Sequence, residues 1–267
     1  MPIRQARMPI SEHLGELRRR LIVSVVCLLA AACVLYLATP QIVQFLLDPI
    51  RDYMTEAGSA SLVVLDPLGG FTIRFRVSIF AAFIVTAPLW LWQIFAFFLP
   101  ALKENERRWV VPTFIVGVIL FAVGMVFCYF VILKPAFQWL LAQTAEIATA
   151  MPTATDYLKL IMLFEIGFGI AFELPLVIFY LTIFEIVPYK KLRHSWRVVY
   201  VVLMSVSAII TPDASPVTML LMFAALVGLY EISLLAARIV LNKRIKRRAE
   251  EEGALEDGES EQLARTE

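Results

Sequence analysis

The apolar run at residues 160–187 carries a carboxylate, Glu173, near its middle and a proline, Pro175, two positions later. About 20 apolar residues in a helix cross the ~30 Å hydrocarbon core of a bilayer, and this run is longer. Glu173 therefore falls deep in the membrane. A lone ionised carboxylate at that depth costs at least ~2.5 kcal/mol, so the group must be protonated, paired or turned to a water-filled concavity. Two readings stay open: a functional intramembrane group, or a hydrogen bond that ties one helix to another. Sixty per cent hydrophobic residues, against about 45–50% apolar in soluble domains, make the chain a polytopic membrane protein. The formal net charge of +1 hides a segregation of charge along the chain. Cys27, Cys33 and Cys128 all lie in apolar runs, where a thiol acts as a small hydrophobe and no disulfide framework follows.

Residues 1–20 are polar and basic, with Arg4, Arg7, Arg18, Arg19 and Arg20. Ser11 and Glu12 behind Pro9 mark a helix start, and Leu14, Leu17 and Leu21 recur at helical spacing, which predicts an amphipathic surface helix leading into the first span at 21–37. Ala30-Ala31-Ala32-Cys33 resembles a lipoprotein cleavage box, but the apolar run continues past Cys33 and the rest of the chain is membrane-embedded, against a cleaved signal peptide. Residues 41–70 form a long connection rich in turn formers. A second span follows at 77–99, kinked by Pro88, and a third at 109–133, with Pro112 tolerated in its first turn. Residues 134–159 read as a polar connection, helical in part between 136 and 148. The fourth span, 160–187, holds Glu165 as well as Glu173. In one continuous helix the two would lie about 80° and ~12 Å apart, flanking one face without touching. The fifth and sixth spans, 198–210 and 217–235, are short and joined by the turn Thr211-Pro212-Asp213-Ala214-Ser215-Pro216, a polar notch entering the membrane. The six-span domain is thus 21–241, and the charged tail 242–267 is expected to be disordered.

With the N terminus inside, the inner segments hold the N-terminal arginines, Lys103, Arg107, Arg108, the basic loop with Lys190, Lys191, Arg193 and Arg197, and the cluster at 243–248. The outer side keeps Arg51, Arg74, Arg76, Lys134 and Lys159. The positive-inside rule then puts both termini in the cytosol, with Glu16 and Glu106 on the cytosolic face.

Four motifs now stand in order: His13-Leu14-Gly15-Glu16-Leu17-Arg18-Arg19-Arg20-Leu21; Phe97-Phe98-Leu99-Pro100-Ala101-Leu102 with Glu106-Arg107-Arg108; Phe168-Gly169-Ile170-Ala171-Phe172-Glu173-Leu174-Pro175; and Thr211-Pro212-Asp213. With six spans, they resemble the TatC family, the core integral-membrane component of the twin-arginine protein translocase, from about residue 11 to 238. That resemblance implies an all-α fold of six transmembrane helices, glove-like, with a concave face. It implies a receptor in the bacterial cytoplasmic membrane that binds twin-arginine signal peptides of folded proteins and works with TatA, TatB and other TatC copies, driven by the proton-motive force. It places the signal-peptide site at Glu16 and Glu106, supported by Arg18, Arg20 and Phe97. It puts Glu173 in the concave face, Pro49 in the outer cap, Asp213 in the outer turn and Thr211 near the partner-contact region. Glu165 is a second intramembrane carboxylate without a counterpart in the family pattern.

The chemistry agrees. A guanidinium gives two parallel hydrogen bonds to one carboxylate and stays charged at physiological pH, so two carboxylates are the least that an arginine pair requires. The alternative is local pairing, Glu16 with Arg19 or Arg20 and Glu106 with Arg107 or Arg108. A proton-coupled transporter using Glu165 and Glu173 predicts internal repeats, and the sequence has none. An enzyme is not expected: the two histidines, His13 and His194, are in cytosolic segments, and the sequence has no metal-ligand cluster, Gly-x-Ser-x-Gly or phosphate-binding loop. No metal, cofactor or nucleic acid is called for.

Overall fold

The structure, a computed structural model, describes residues 10–51, 63–98, 110–145, 153–183, 189–211 and 215–264. Among these the fold is all-helical, with a single isolated β-bridge between Val63 and Thr153. The helices are α1 (Ile10–Leu35), α2 (Thr39–Leu47) followed by a 3-10 turn (Asp48–Ile50), α3 (Gly69–Val85), α4 (Ala87–Phe98), α5 (Val110–Phe127), a π-helical turn (Cys128–Ile132), α6 (Leu133–Ala145), α7 (Ala154–Ala171), α8 (Leu174–Ile183), α9 (Tyr189–His194), α10 (Trp196–Ile210) and α11 (Pro216–Ala264). Three stretches are long and apolar enough to cross a membrane: Val111–Gln143, Ala154–Thr182 and Pro216–Val240. Two more form bent pairs, Gly15–Leu35 with Thr39–Ile50 at 89° and Gly69–Val85 with Ala87–Phe97 at 55°, and Trp196–Ile210 is a shorter apolar helix.

Several boundaries differ from those read in the sequence, each for a local reason. The amphipathic segment and first span are one helix, because nothing between Ile10 and Leu35 breaks the backbone ladder. Inside the connection expected at 41–70, α2 forms with Pro40 in its first turn. The third helix does not stop at 133 but runs on to Ala145. Its polar continuation has an apolar side, Leu133, Ala136 and Phe137, all fully buried. Pro135 cannot donate a helical hydrogen bond, and the π-helical turn just before it resets the ladder, with the Leu133 N–H donating to the Cys128 carbonyl. At the other end of the chain, α11 extends through Ala264 in place of a disordered tail. That segment is rich in Glu, Ala, Lys, Arg and Leu, strong helix formers that propagate a helix already nucleated in the membrane domain.

Prolines elsewhere break helices and free carbonyls. The bend between α3 and α4 falls at Thr86, two residues before Pro88. There the Thr86 hydroxyl donates to the Ala82 carbonyl at 2.7 Å and the Trp90 indole N–H to the Phe83 carbonyl at 3.1 Å. Side chains thus satisfy backbone groups that water cannot reach in a bilayer.

The centre of the molecule is the antiparallel pair formed by α5 with α7. Along it Gly117 meets Glu173, Phe121 meets Gly169 and Gly124 meets Phe168 and Phe172. Residue numbers rise along α5 as they fall along the facing segment, which fixes the antiparallel register. Glycines make the approach possible: a Cβ on Gly124 would lie 2.7 Å from the Phe168 carbonyl oxygen, and one on Gly169 2.7 Å from the Phe121 ring. In lipid there is no hydrophobic drive between helices, so close packing at small residues holds such a seam. Around it lie the buried rings Phe164, Phe168 and Phe137 with Leu158 and Ile161. On its far flank, α10 and α11 pair antiparallel, with the Ser207 hydroxyl donating to the Met219 carbonyl at 2.7 Å and the Tyr200 hydroxyl to Glu231 at 3.1 Å.

Candidate functional site

Glu16 lies a turn and a half into α1, four residues before Arg20, so both side chains leave the same helix face. The Arg20 guanidinium donates to Glu16 Oε1 through Nε at 3.0 Å and through a terminal nitrogen, and gives a third bond to Gln93 Oε1 on α4 at 3.1 Å. Glu16 and Arg20 are about a quarter exposed, 27% and 24%. Of the two readings left open by the sequence, local pairing with Arg20 is therefore realised in this structure. The consequence is not exclusion of a ligand. Both Arg20 bonds land on one oxygen, which leaves Oε2 of Glu16 without a partner among the described residues.

Gln93 has no obvious signature in the sequence; it sits in an apolar helix and reads as a chance polar residue. Its bond to Arg20 fixes the register of α1 against α4, which run antiparallel. Phe97, half-buried, follows Gln93 by one helical turn. Arg18 is exposed. Glu106 lies outside the described residues, in the segment between Phe98 and Val110.

The second group of polar residues is in the membrane interior. Pro175 cannot continue the ladder of α7, and the chain turns at Phe172 and Glu173 before α8 begins. The Glu173 N–H donates to the Ile170 carbonyl at 3.0 Å, while its own carbonyl accepts from Leu176 and Val177 at 3.1 Å each. Glu173 is partly buried, and its carboxylate lies over Gly117 of α5 and the edge of the Phe95 ring: a Cβ at Gly117 would be 3.3 Å from Oε2 and 3.4 Å from Phe95. Glu173 Oε1 is buried without a hydrogen-bond partner among the described residues.

Glu165 differs. It is only 3% exposed, under the body of α7, and its Oε1 also has no hydrogen-bond partner among the described residues. The turn at Phe172 and Glu173 interrupts the helical ladder between the two carboxylates, and of the two Glu173 lies against Gly117 of α5.

Of the remaining residues singled out in the sequence, Thr211 is buried at the end of α10, its hydroxyl donating to the Ser207 carbonyl at 2.9 Å. Pro49 is buried in the 3-10 turn after α2, at the end of the molecule opposite Glu16. Asp213 lies outside the described residues. Among the described residues no group of three or more His, Cys, Asp or Glu is arranged to hold a metal ion.

Residues 12–224 match the family model for TatC, Sec-independent protein translocase protein. The chain belongs to the TatC family. It is 32% identical over 239 residues to the Sec-independent protein translocase protein TatC of Deinococcus radiodurans, covering 89% of this chain and 88% of the relative. Against the TatC of Aquifex aeolicus it is 31% identical over 239 residues, covering 89% and 98%. A crystal structure of the twin-arginine translocase receptor TatC superposes with a TM-score of 0.71 at 30% identity, covering 85% of this chain and 98% of that one. A second, in the detergent DDM, gives 0.72 at 30% identity, covering 84% and 99%. The TatC chain is thus a multi-pass membrane component of the Sec-independent protein translocase, and its work is protein transport.

Proposed function

We propose that this protein is the receptor and core subunit of its translocase. It binds the paired arginines of twin-arginine signal peptides at the Glu16 rim and scaffolds TatA- and TatB-type single-span partners, and further TatC copies, for export of folded proteins driven by the proton-motive force. In this reading six segments cross the cytoplasmic membrane of a bacterium, both termini are cytosolic, and Glu106 joins Glu16 at the inner rim. The single observation that carries it is the Glu16 carboxylate, already holding a guanidinium on one oxygen with the other oxygen unoccupied by any described group. An intrahelical pair of this kind is worth only about 0.3–0.5 kcal/mol, so an incoming arginine shares or displaces it at small cost. Arg20 and Arg18 keep the rim from accumulating negative charge, and Phe97 supplies an apolar wall for the residues that follow the arginine pair.

Inside the membrane, Glu173 is the docking point for a partner helix bearing a polar side chain, a contact worth about 0.6–2 kcal/mol and so readily exchanged. Thr211 and Glu165 complete the interior polar set, while Pro49 and Asp213 shape the outer cap and turn. The test is site-specific crosslinking from positions 16 and 106 to a precursor whose arginine pair is intact or replaced by lysines. Strong labelling of the intact precursor and loss of labelling with lysines is the expected pattern. Equal labelling of both precursors would remove the receptor role.

A further inference from the structure

A groove of about 480 Å³ opens on the face where α1, α3 and α7 meet, lined by Leu28, Phe75, Ile79, Phe83, Met162 and Ile166 among others, and at one end by Arg76 and Lys159. The chain segments leading into α3 and α7 meet: Val63, six residues before α3, and Thr153, immediately before α7, form the β-bridge, with the Ala154 N–H donating to the Val63 carbonyl at 3.1 Å. Arg76 follows the start of α3 by seven residues and Lys159 follows the start of α7 by five, so the two cations lie roughly 10 Å and 7.5 Å along their helices from those starts. From there the apolar lining continues to Phe83 and Ile166, a further ~10 Å toward the middle of the molecule. Both cations are exposed, and neither forms an ion pair among the described residues. The nearest acid on α7, Asp156, is engaged at the start of the helix, accepting from the Thr153 hydroxyl at 2.5 Å and from nothing on the groove side.

We propose that this groove is a binding site for one anionic phospholipid, its phosphate held between Arg76 and Lys159 and one acyl chain laid along Phe75, Ile79, Phe83 and Ile166. Charge complementarity decides the headgroup: two unpaired cations at one mouth of an apolar cleft favour a net negative lipid over a zwitterionic one, whose own ammonium offsets the phosphate. The apolar lining beyond the two cations suits an alkyl chain. The site is at the end opposite Glu16, so it is independent of the proposed signal-peptide rim.

The experiment is native mass spectrometry of the intact protein, released from detergent with equimolar phosphatidylglycerol and phosphatidylcholine of identical acyl chains. A preference for phosphatidylglycerol of roughly tenfold or more is expected from two cations near a lipid phosphate. Arg76→Gln with Lys159→Gln brings the ratio close to one, while Arg74→Gln, outside the groove, leaves it unchanged. Leu163→Trp, filling the groove, lowers retention of both lipids and reports on the acyl-chain part without altering charge. A photo-crosslinker at Leu163 in native membranes is expected to label lipid. Equal retention of the two lipids by the unaltered protein, an undiminished preference in the double variant, or labelling of a protein segment from Leu163 would each overturn the proposal.

Discussion

The Glu16 rim and the α5–α7 seam both hold carboxylates, and they answer the charge in opposite ways. At the rim, Glu16 is met by Arg20 from its own helix, a quarter exposed and tied to α4 through Gln93. In the seam, Glu173 and Glu165 each keep a buried oxygen with no donor among the described residues. A rim carboxylate with a weakly held guanidinium exchanges one cation for another. A seam carboxylate has nothing to exchange and gains from any donor that reaches it. Reach then separates the two seam groups: Glu173 sits in a helix break over a glycine, whereas Glu165 is sealed beneath α7.

The largest effect is expected where the seam itself is forced apart. Gly124→Leu drives a side chain into the Phe168 carbonyl and the Phe172 ring, and over-packing of this kind costs about 1–3 kcal/mol or more. Thermal unfolding of the purified protein should show a much lowered midpoint and poor yield; a wild-type midpoint would mean that the seam is looser than described. Next come the two interior carboxylates, taken as a pair. Glu173→Gln should leave insertion and thermal stability near wild type while export in cells falls several-fold, the scale of one interhelical hydrogen bond of about 0.6–2 kcal/mol. Glu165→Leu should lower export less than Glu173→Gln does and raise the unfolding midpoint, because it removes a buried carboxylate that lacks a donor and keeps the volume filled. Export lost in Glu165→Leu and kept in Glu173→Gln would invert the comparison. The smallest effect is expected from Gly117→Ala. Its methyl group meets Glu173 Oε2 at 3.3 Å, close enough to shift the carboxylate by a few tenths of an ångström, so a mild export defect without loss of stability is the outcome to look for.

Much of this was legible in the amino-acid order. The apolar runs and the isolated Glu173 follow from the chemistry of a bilayer, which tolerates few exceptions. The helical course of residues 134–145 was hidden because Lys134 and Pro135 imitate a loop, and only the π-helical turn before them shows how the helix survives. The partner of Glu16 was one of two adjacent choices, Arg19 or Arg20, and helix phase selects the i,i+4 member. Gln93 could not be found at all, since its role depends on the register of α1 against α4, which no local pattern encodes. The same holds for Gly117: a glycine in an apolar helix is unremarked until Glu173 is seen lying against it. Arg76 and Lys159, 83 positions apart, become a pair only when the Val63–Thr153 bridge aligns their helices.

The most direct test of the rim is a double-mutant cycle between the protein and the peptide. Binding of a fluorescent twin-arginine signal peptide to the purified protein in nanodiscs would be measured for wild type and Glu16→Gln, each with the arginine pair intact and with one arginine replaced by glutamine. A charge-assisted hydrogen bond predicts a coupling of about 1.5–3 kcal/mol for one of the two arginines, with Arg20 freed in the Glu16→Gln protein. Independent, additive losses for both arginines would contradict the account and leave Glu16 as no more than the partner of Arg20.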